Sequence, residues 1–368
     1  MNLDDIIRTI QKSGCVGETM PLKCIILIIC GIRCKNRRGT SLNLHADDNA
    51  GLGKDHVIQA VRKLAFTDDW IHTISPSKTG ITYMCKGDID ALKDKIVYIE
   101  DPGSDYLDCD DFKMLITDEI NTIRLINFSP TQIKSKKPVV IVTTAALGKN
   151  HQVTQRLPSI KFDSSFEQTD AITKYQLDLA CGKAVVATKE EMDAVSAHFD
   201  SLEYVTVNLS NIMGMLESER NKDATTKMRR IYQRLLDYIK FSAVLHQNED
   251  DRMKDGSTIF ATKEDFDNGL EIFNFIYRKK GESKITTMGK RQSSILKYLK
   301  THPYTEFTVN QIMADPDTED ASYPTVQSDI RKLSQEHKKI WIGSKYPQTY
   351  SWEEPDQPDE EVEEEFKK

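Results

Sequence analysis

The sequence predicts an α/β domain built on a parallel sheet, a helical region after it, and a smaller α+β domain at the carboxyl-terminal end. Three observations carry this. Two apolar runs, Ile96, Val97, Tyr98, Ile99 and then Val139 through Val142, each end in polar residues, as strands buried on both faces of a parallel sheet do. Over residues 41–64 a short strand pattern, a loop of small residues ending in Gly-Lys, and an amphipathic helix follow one another. After residue 283 come three helical patterns and two β-prone runs.

In chain order, residues 1–38 read as a helical segment. Leu3, Ile6, Ile7 and Ile10 keep a helical period that Gly14 ends. The apolar run from Cys24 to Ile32 is too short to span a bilayer and reads as a buried helix or strand. Lys12, Glu18 and Lys23 before it argue against a secretory signal, so a cytoplasmic location is expected.

Residues 39–184 form the α/β core. "SLNLHA" is a strand, and "DDNAGLGKD" is a near-match to the phosphate loop G-x-x-x-x-G-K-[ST]. Asp48 stands in place of the first glycine and Asp55 in place of the hydroxyl residue. Val57, Ile58, Val61 and Leu64 then share one helix face. Glu100 and Asp101 close the first buried strand, Thr143 and Thr144 the second, and "HQVTQRLPSIKFD" carries Arg156.

Residues 185–282 read as a helical lid with an insertion. Ile231, Leu235, Leu236, Ile239 and Ala243 mark one long helix; Phe266, Leu270, Phe273 and Ile276 mark another, capped by Thr262 with Asp265 three residues on. His246 near the end of the first is read as structural. Residues 283–353 carry the three helices and hairpin of a winged helix, with Val326, Ile330 and Leu333 facing inward on the third. Residues 354–368 are an acidic tail. Residues 353–368 hold nine acids and two lysines, which accounts for the whole net charge of −7 and leaves a neutral body.

The seven cysteines form no C-x-x-C pair and are odd in number, so reduced thiols are expected rather than a metal site or a disulfide framework. No Ser-His-Asp, zinc or primase-type metal pattern stands out. What remains is an ordered set suited to a nucleotide phosphatase: a phosphate cradle with a lysine, carboxylates for a metal and for water, a polar sensor and an arginine. The cradle comprises Asn49, Ala50, Gly51, Leu52, Gly53, Lys54, Asp55 and His56.

The blocks "AGLGKDHVIQAVRKL", "LKDKIVYIEDP", "KKPVVIVTTA", "QRLPSIKFDSSFEQT" and "YIKFSAVLHQNEDD…IFATKEDFDNGLEIF" resemble the AAA+ ATPases of the replicative helicase clade. The likeness is to the MCM-like and primase-helicase proteins of prokaryotic plasmids and integrated elements; it is weakest over 185–225. It implies ATP and Mg²⁺ as cofactors, DNA as partner, and a homo-oligomeric ring, often a hexamer. A primase or other replication proteins are further partners, and no membrane is involved. The resemblance puts Lys54 on the β/γ-phosphates, Glu100 and Asp101 as the acidic pair, Thr144 at the sensor position and Arg156 as an arginine acting on a neighbouring subunit. Asp55 and Asp101 are the metal candidates; a carboxylate at 55 can hold Mg²⁺ but also repels phosphate.

DNA contact is expected at Lys134, Lys136 and Lys137 in "TQIKSKKP", where ring helicases of this clade carry a channel hairpin. It is also expected at Gln327, Arg331 and Lys332 on the third helix and Lys338, Lys339 and Lys345 near the wing. Residues 284–352 hold ten basic against seven acidic side chains, a modest electrostatic footprint. Two functions stay open: an ATP-dependent, helicase-like replication protein of a mobile element, or a DNA-binding initiator or regulator whose degenerate ATPase body is an assembly scaffold. A helicase loader, whose winged helix binds protein, is a third.

Overall fold

The computed structural model describes residues 1–47, 53–85, 88, 90–117, 120–126, 129–144, 151–222, 226–278, 290–302, 305–314, 322–336, 340–343 and 348–352. The chain divides into two compact units, Met1–Lys280 and Gly281–Lys368.

Among the described residues, the first unit carries seven strands before residue 161: β1 Asn43–Asp47, β2 Trp70–Ile74, β3 Ile96–Glu100, β4 Ile120–Ile126, β5 Ser129–Ser135, β6 Val139–Thr144 and β7 Ser159–Ile160. Five of them form an all-parallel sheet in the order β2-β3-β6-β1-β7. The other two, β4 and β5, pair antiparallel as a separate hairpin between the acid-bearing strand and the strand that ends in threonines. Strand β6 therefore lies between β1 and β3, and Glu100 pairs with Thr143 while Asp47 pairs with Thr144.

Alternation along these strands sorts their side chains onto two faces. Leu44, Ala46, Ile96, Tyr98 and Ile141 join a core with the helix Lys54–Arg62, the helix Thr19–Cys30 and the long helices Thr226–Leu245 and Lys263–Tyr277. Val97, Ile99, Val140 and Val142 pack on the other face with Phe112, Leu115 and Val153. The run from Cys24 to Cys30 is helical and inaccessible at every residue. A helix apolar all round belongs inside, so the amino-terminal segment shares its core with the two long helices Thr226–Leu245 and Lys263–Tyr277. Those two helices meet where Gly269 sits against Ile239; a Cβ at 269 would lie 2.6 Å from the Ile239 nitrogen.

The cap expected at Thr262 is a full capping box with Asp265. Asp265 is wholly buried, and it also accepts from Ser242 Oγ at 3.0 Å and from the Arg252 guanidinium. His246, as expected, is structural: its Nδ1 lies 3.2 Å from Asp265 Oδ1.

Sequence reading passes over β2, β7 and a small sheet of Thr206–Asn208, Thr258–Phe260 and Lys254–Asp255. The reason is physical. Strand β2 is only half buried and carries His72 and Thr73, and the rest are two or three residues long. Neither gives a periodic signal.

The second unit has helices Lys290–Thr301, Val309–Met313 and Tyr323–Glu336 and a three-stranded antiparallel sheet of Phe307–Thr308, Thr349–Trp352 and Ile340–Ile342. Val326, Ile330 and Leu333 do face inward, joined by Ile295, Leu299, Ile312 and Tyr350. The acidic tail lies outside the described residues. Among the described residues, no helix is long and apolar enough to cross a membrane.

Candidate functional site

The site lies at the carboxyl-terminal edge of the parallel sheet. Of the expected cradle, Asn49, Ala50, Gly51 and Leu52 lie outside the described residues; Gly53, Lys54, Asp55 and His56 are described. Gly53 has φ +75°, a left-handed conformation that glycine adopts without penalty, and it opens the helix Lys54–Arg62. The first turn of a helix leaves backbone N–H groups without intrahelical partners, and its dipole favours an anion there. Lys54 is the first helical residue and is buried. Its charge lies near His45 of β1, whose pKa is depressed to about 4 by burial first, against the raising effects of Asp47 and of a bond to the Thr144 carbonyl, with Lys54 adding to the depression.

Asp55 does not stand free in the loop. Its Oδ1 accepts a 2.5 Å hydrogen bond from the Tyr98 hydroxyl. Burial, then Asp55, push the Tyr98 phenol well above its ordinary pKa, so it stays a donor. Tyr98 is two residues before Glu100 on the same face of β3, and this bond ties the helix that Lys54 opens to the strand that carries the acid.

Glu100 has partners of its own. His72 Nε2 donates to Glu100 Oε2 at 2.7 Å, and the ring lies parallel to Tyr98 at 4.7 Å. Arg62 Nη1 is 3.2 Å from His72 Nδ1. A guanidinium can only donate, so Nδ1 is the acceptor and the ring proton sits on Nε2, facing the glutamate. His72, Arg62 and Tyr98 were not legible in the sequence as site residues; a strand read at residues 70–74 would have exposed His72.

Asp101 is exposed and held at φ +43°, unusual for a residue other than glycine. Its N–H donates to the Thr143 carbonyl at 2.9 Å, and Ser75 Oγ donates to its carbonyl at 3.1 Å. The two threonines separate. Thr143 is in register with Glu100 and lies 3.5 Å from the Tyr98 hydroxyl; Thr144 is in register with Asp47, on the face of His45. Both are buried.

Arg156 is not brought to this edge. It ends the helix His151–Arg156, and its carbonyl accepts from Asn43 Nδ2 at 3.0 Å, at the start of β1 and so at the opposite edge. Lys134 and Lys136 are exposed at the base of the β4–β5 hairpin. Lys137 is not a surface cation: it is buried, and its ammonium donates to Asn43 Oδ1 at 2.7 Å and to the Pro138 carbonyl at 3.0 Å. The apolar strand that follows draws it inward, a correction to its place among the expected DNA contacts. In the second unit Gln327 is half-buried and Arg331 exposed; the Lys332 side chain and Lys338, Lys339 and Lys345 lie outside the described residues.

A cavity of about 760 Å³ opens beside Gly53 and His56, walled by Val16, Ile172, Leu179 and Val186. The His56 ring reaches across it, its Nε2 3.0 Å from the Gly14 carbonyl. This is an apolar recess next to an anion-attracting helix end, a shape suited to a ligand with a flat apolar part and a charged part. As for a metal, no cluster of three candidate ligands occurs among the described residues. A magnesium ion carried by a nucleotide needs only one or two carboxylates beside phosphate and water. Asp55, Glu100 and Asp101 supply hard oxygen donors, two of them with one oxygen already bonded to protein, and that donor set fits.

Neither protein-family models nor curated proteins match this chain.

Proposed function

We propose that this chain is an AAA+-type ATPase whose nucleotide hydrolysis drives remodelling of, or movement along, DNA. The observation that carries the reading is the Tyr98–Asp55 hydrogen bond, which ties the helix opened by Lys54 to the strand ending in Glu100. With Thr143 in register beside Glu100, a lysine, a helix N-terminus, a carboxylate and a hydroxyl share one sheet edge. This is the disposition that phosphoryl transfer to water calls for.

In this reading the backbone N–H groups after Gly53 and the Lys54 ammonium hold the phosphates. Glu100 orients and deprotonates water, with its carboxylate aimed by His72. Thr143 and Thr144 are the hydroxyls available to sense the terminal phosphate. When bound, Mg²⁺ offsets phosphate charge, with Asp55 and Asp101 as its protein ligands. Arg156 belongs to the far edge, so its action on phosphate requires a second copy; a homo-oligomeric ring, hexameric in the family it resembles, supplies one. The recess beside His56 takes the base. Lys134 and Lys136, with Gln327, Arg331, Lys332, Lys338, Lys339 and Lys345 of the second unit, are the DNA contacts. A primase or other replication proteins are partners in this setting, within the cytoplasm.

The test is ATP turnover by the full chain with DNA and Mg²⁺. Lys54→Ala is expected to lower it at least about a hundredfold with the thermal transition kept. If the wild type turns over no faster than Lys54→Ala, the enzyme reading is lost.

One observation favours a second reading, a non-hydrolysing initiator or regulator that uses the body as a scaffold. The loop carries a carboxylate at 55, held there by Tyr98, where a hydroxyl would ligate metal without repelling phosphate. Asp55→Ser separates the two. A gain in nucleotide affinity of about tenfold or more would mean that the native loop is impaired and would favour the scaffold.

A further inference from the structure

The opposite, amino-terminal edge of the sheet holds a second cavity, about 520 Å³, and it is basic. Its wall carries Arg37, Arg38, Lys134, Lys136 and Lys137 against a single carboxylate, Asp94. Lys137 is bonded to Asn43, as described. The other four cations make no ion pair and no side-chain hydrogen bond among the described residues.

Arg37 is the most enclosed of the four. Its Nε is inaccessible to solvent and has no hydrogen-bond partner. Burial lowers its pKa, opposed by attraction to Cys34, Asp94, Asp237 and Tyr204. Asp237 does not answer it: that carboxylate accepts from Ser41 Oγ at 2.7 Å, from the Arg38 N–H at 3.2 Å, from Gln233 Nε2 at 3.2 Å and from Lys240 Nζ at 3.1 Å. Asp94 is shared with the Tyr204 hydroxyl. A guanidinium N–H buried without an acceptor is costly, and folded proteins rarely leave one so. Four unpaired cations around one recess also repel each other. An oxyanion placed among them offsets that repulsion, and the planar fork of arginine fits a phosphoryl group in particular.

We propose that this cavity is a phosphoryl-binding site, with Arg37 and Arg38 as the fork and Lys134 and Lys136 as the flanking charges. It is separate from the nucleotide site proposed above and does not depend on hydrolysis there; for a nucleic-acid ligand it rests on, and deepens, the DNA contact proposed for Lys134 and Lys136. The phosphoryl group has two sources, the backbone of a nucleic-acid strand lying along the hairpin base or a small phosphate ligand, and the chemistry of the pocket is the same for both.

The experiment uses the full chain carrying Lys54→Ala, so that the phosphate loop is silenced and failure of the ATPase reading has no bearing on the result. Binding of a labelled oligothymidylate is followed by anisotropy across a salt series, and binding of inorganic phosphate and pyrophosphate by calorimetry. Arg38→Gln and Arg37→Gln are each expected to weaken the bound probe about tenfold. If the strand is the ligand, each should also reduce the slope of log affinity against log salt by about one. Asp94 has φ +60°, which asparagine tolerates, so Asp94→Asn folds and should tighten binding. Because Arg37 is largely buried, the exposed pair Arg38→Gln with Lys136→Gln repeats the test without touching the core. Oligothymidylate binding that responds assigns the pocket to nucleic acid; phosphate or pyrophosphate binding that responds, without the strand, assigns it to a small ligand. No binding of any probe, or binding indifferent to all these substitutions, overturns the proposal.

Discussion

At the carboxyl-terminal edge of the sheet, Lys54 opens a helix beside Glu100 and Thr143, whereas at the amino-terminal edge Lys137 turns inward and ends on Asn43. Both lysines are buried; Lys54 is the first residue of a helix and Lys137 comes just before β6. They differ in their surroundings. Lys54 stands at the head of a helix whose first N–H groups have no intrahelical acceptor, a place that favours an anion. Lys137 meets a carboxamide and a carbonyl, both acceptors that the protein itself provides. A buried lysine is thus read by the acceptors around it, not by its burial. At that same edge Arg37 and Arg38 line a cavity and make no ion pair among the described residues.

The largest effect that tests this contrast is on chemistry. If the proposed ATPase reading holds, Glu100→Gln, which keeps the shape and the bond to His72 but removes the proposed base, is expected to lower kcat by about 10²–10⁴-fold with little change in the urea midpoint. At the other edge the outcome should invert. Asn43→Leu takes the carboxamide from the Lys137 ammonium and leaves a buried charge short of an acceptor, a loss of about 4 kcal/mol of unfolding free energy by urea titration. Activity per folded molecule should persist. Should Asn43→Leu cost less than Glu100→Gln does in stability, the contrast between the edges fails.

The third effect is on pH. His45 has its folded pKa lowered to about 4 and is fully buried. Below the unfolded value near 6.5 the unfolded chain binds a proton that the folded chain does not. Its share of stability is therefore complete above pH 6.5 and is lost as pH falls toward 4. The loss is on the order of 3 kcal/mol at most; His45→Gln should flatten that part of the profile in urea melts run from pH 4 to 7. The smallest effect is Tyr98→Phe, which deletes the hydroxyl bonded to Asp55 and should lower stability by about 1.5 kcal/mol. A change in nucleotide affinity beyond that loss would show that Asp55 does more than anchor its helix.

Much of this was legible beforehand because it is local. The Gly-Lys turn, the helix carrying Val57, Ile58 and Val61, the two buried strands with acids or threonines at their ends, and the Thr262 cap each follow from a few adjacent residues. His72 and Arg62 were not, since their relation to Glu100 spans strand pairing and a helix crossing. Lys137 read as one lysine in a basic run, and nothing in that run told it from Lys134 and Lys136.

The sequence by itself determined the amphipathic helices, the strands β1, β3 and β6 and the polar residues that close the two buried ones, because side-chain period and turn chemistry act over a few residues. Only the tertiary structure decided that β6 lies between β1 and β3, which sets Thr143 beside Glu100 and Thr144 beside Asp47. It also decided which cations find an acceptor within the chain and which are left facing a cavity. Strand order and the partners of a charge depend on residues far apart in the chain, and no local pattern encodes them.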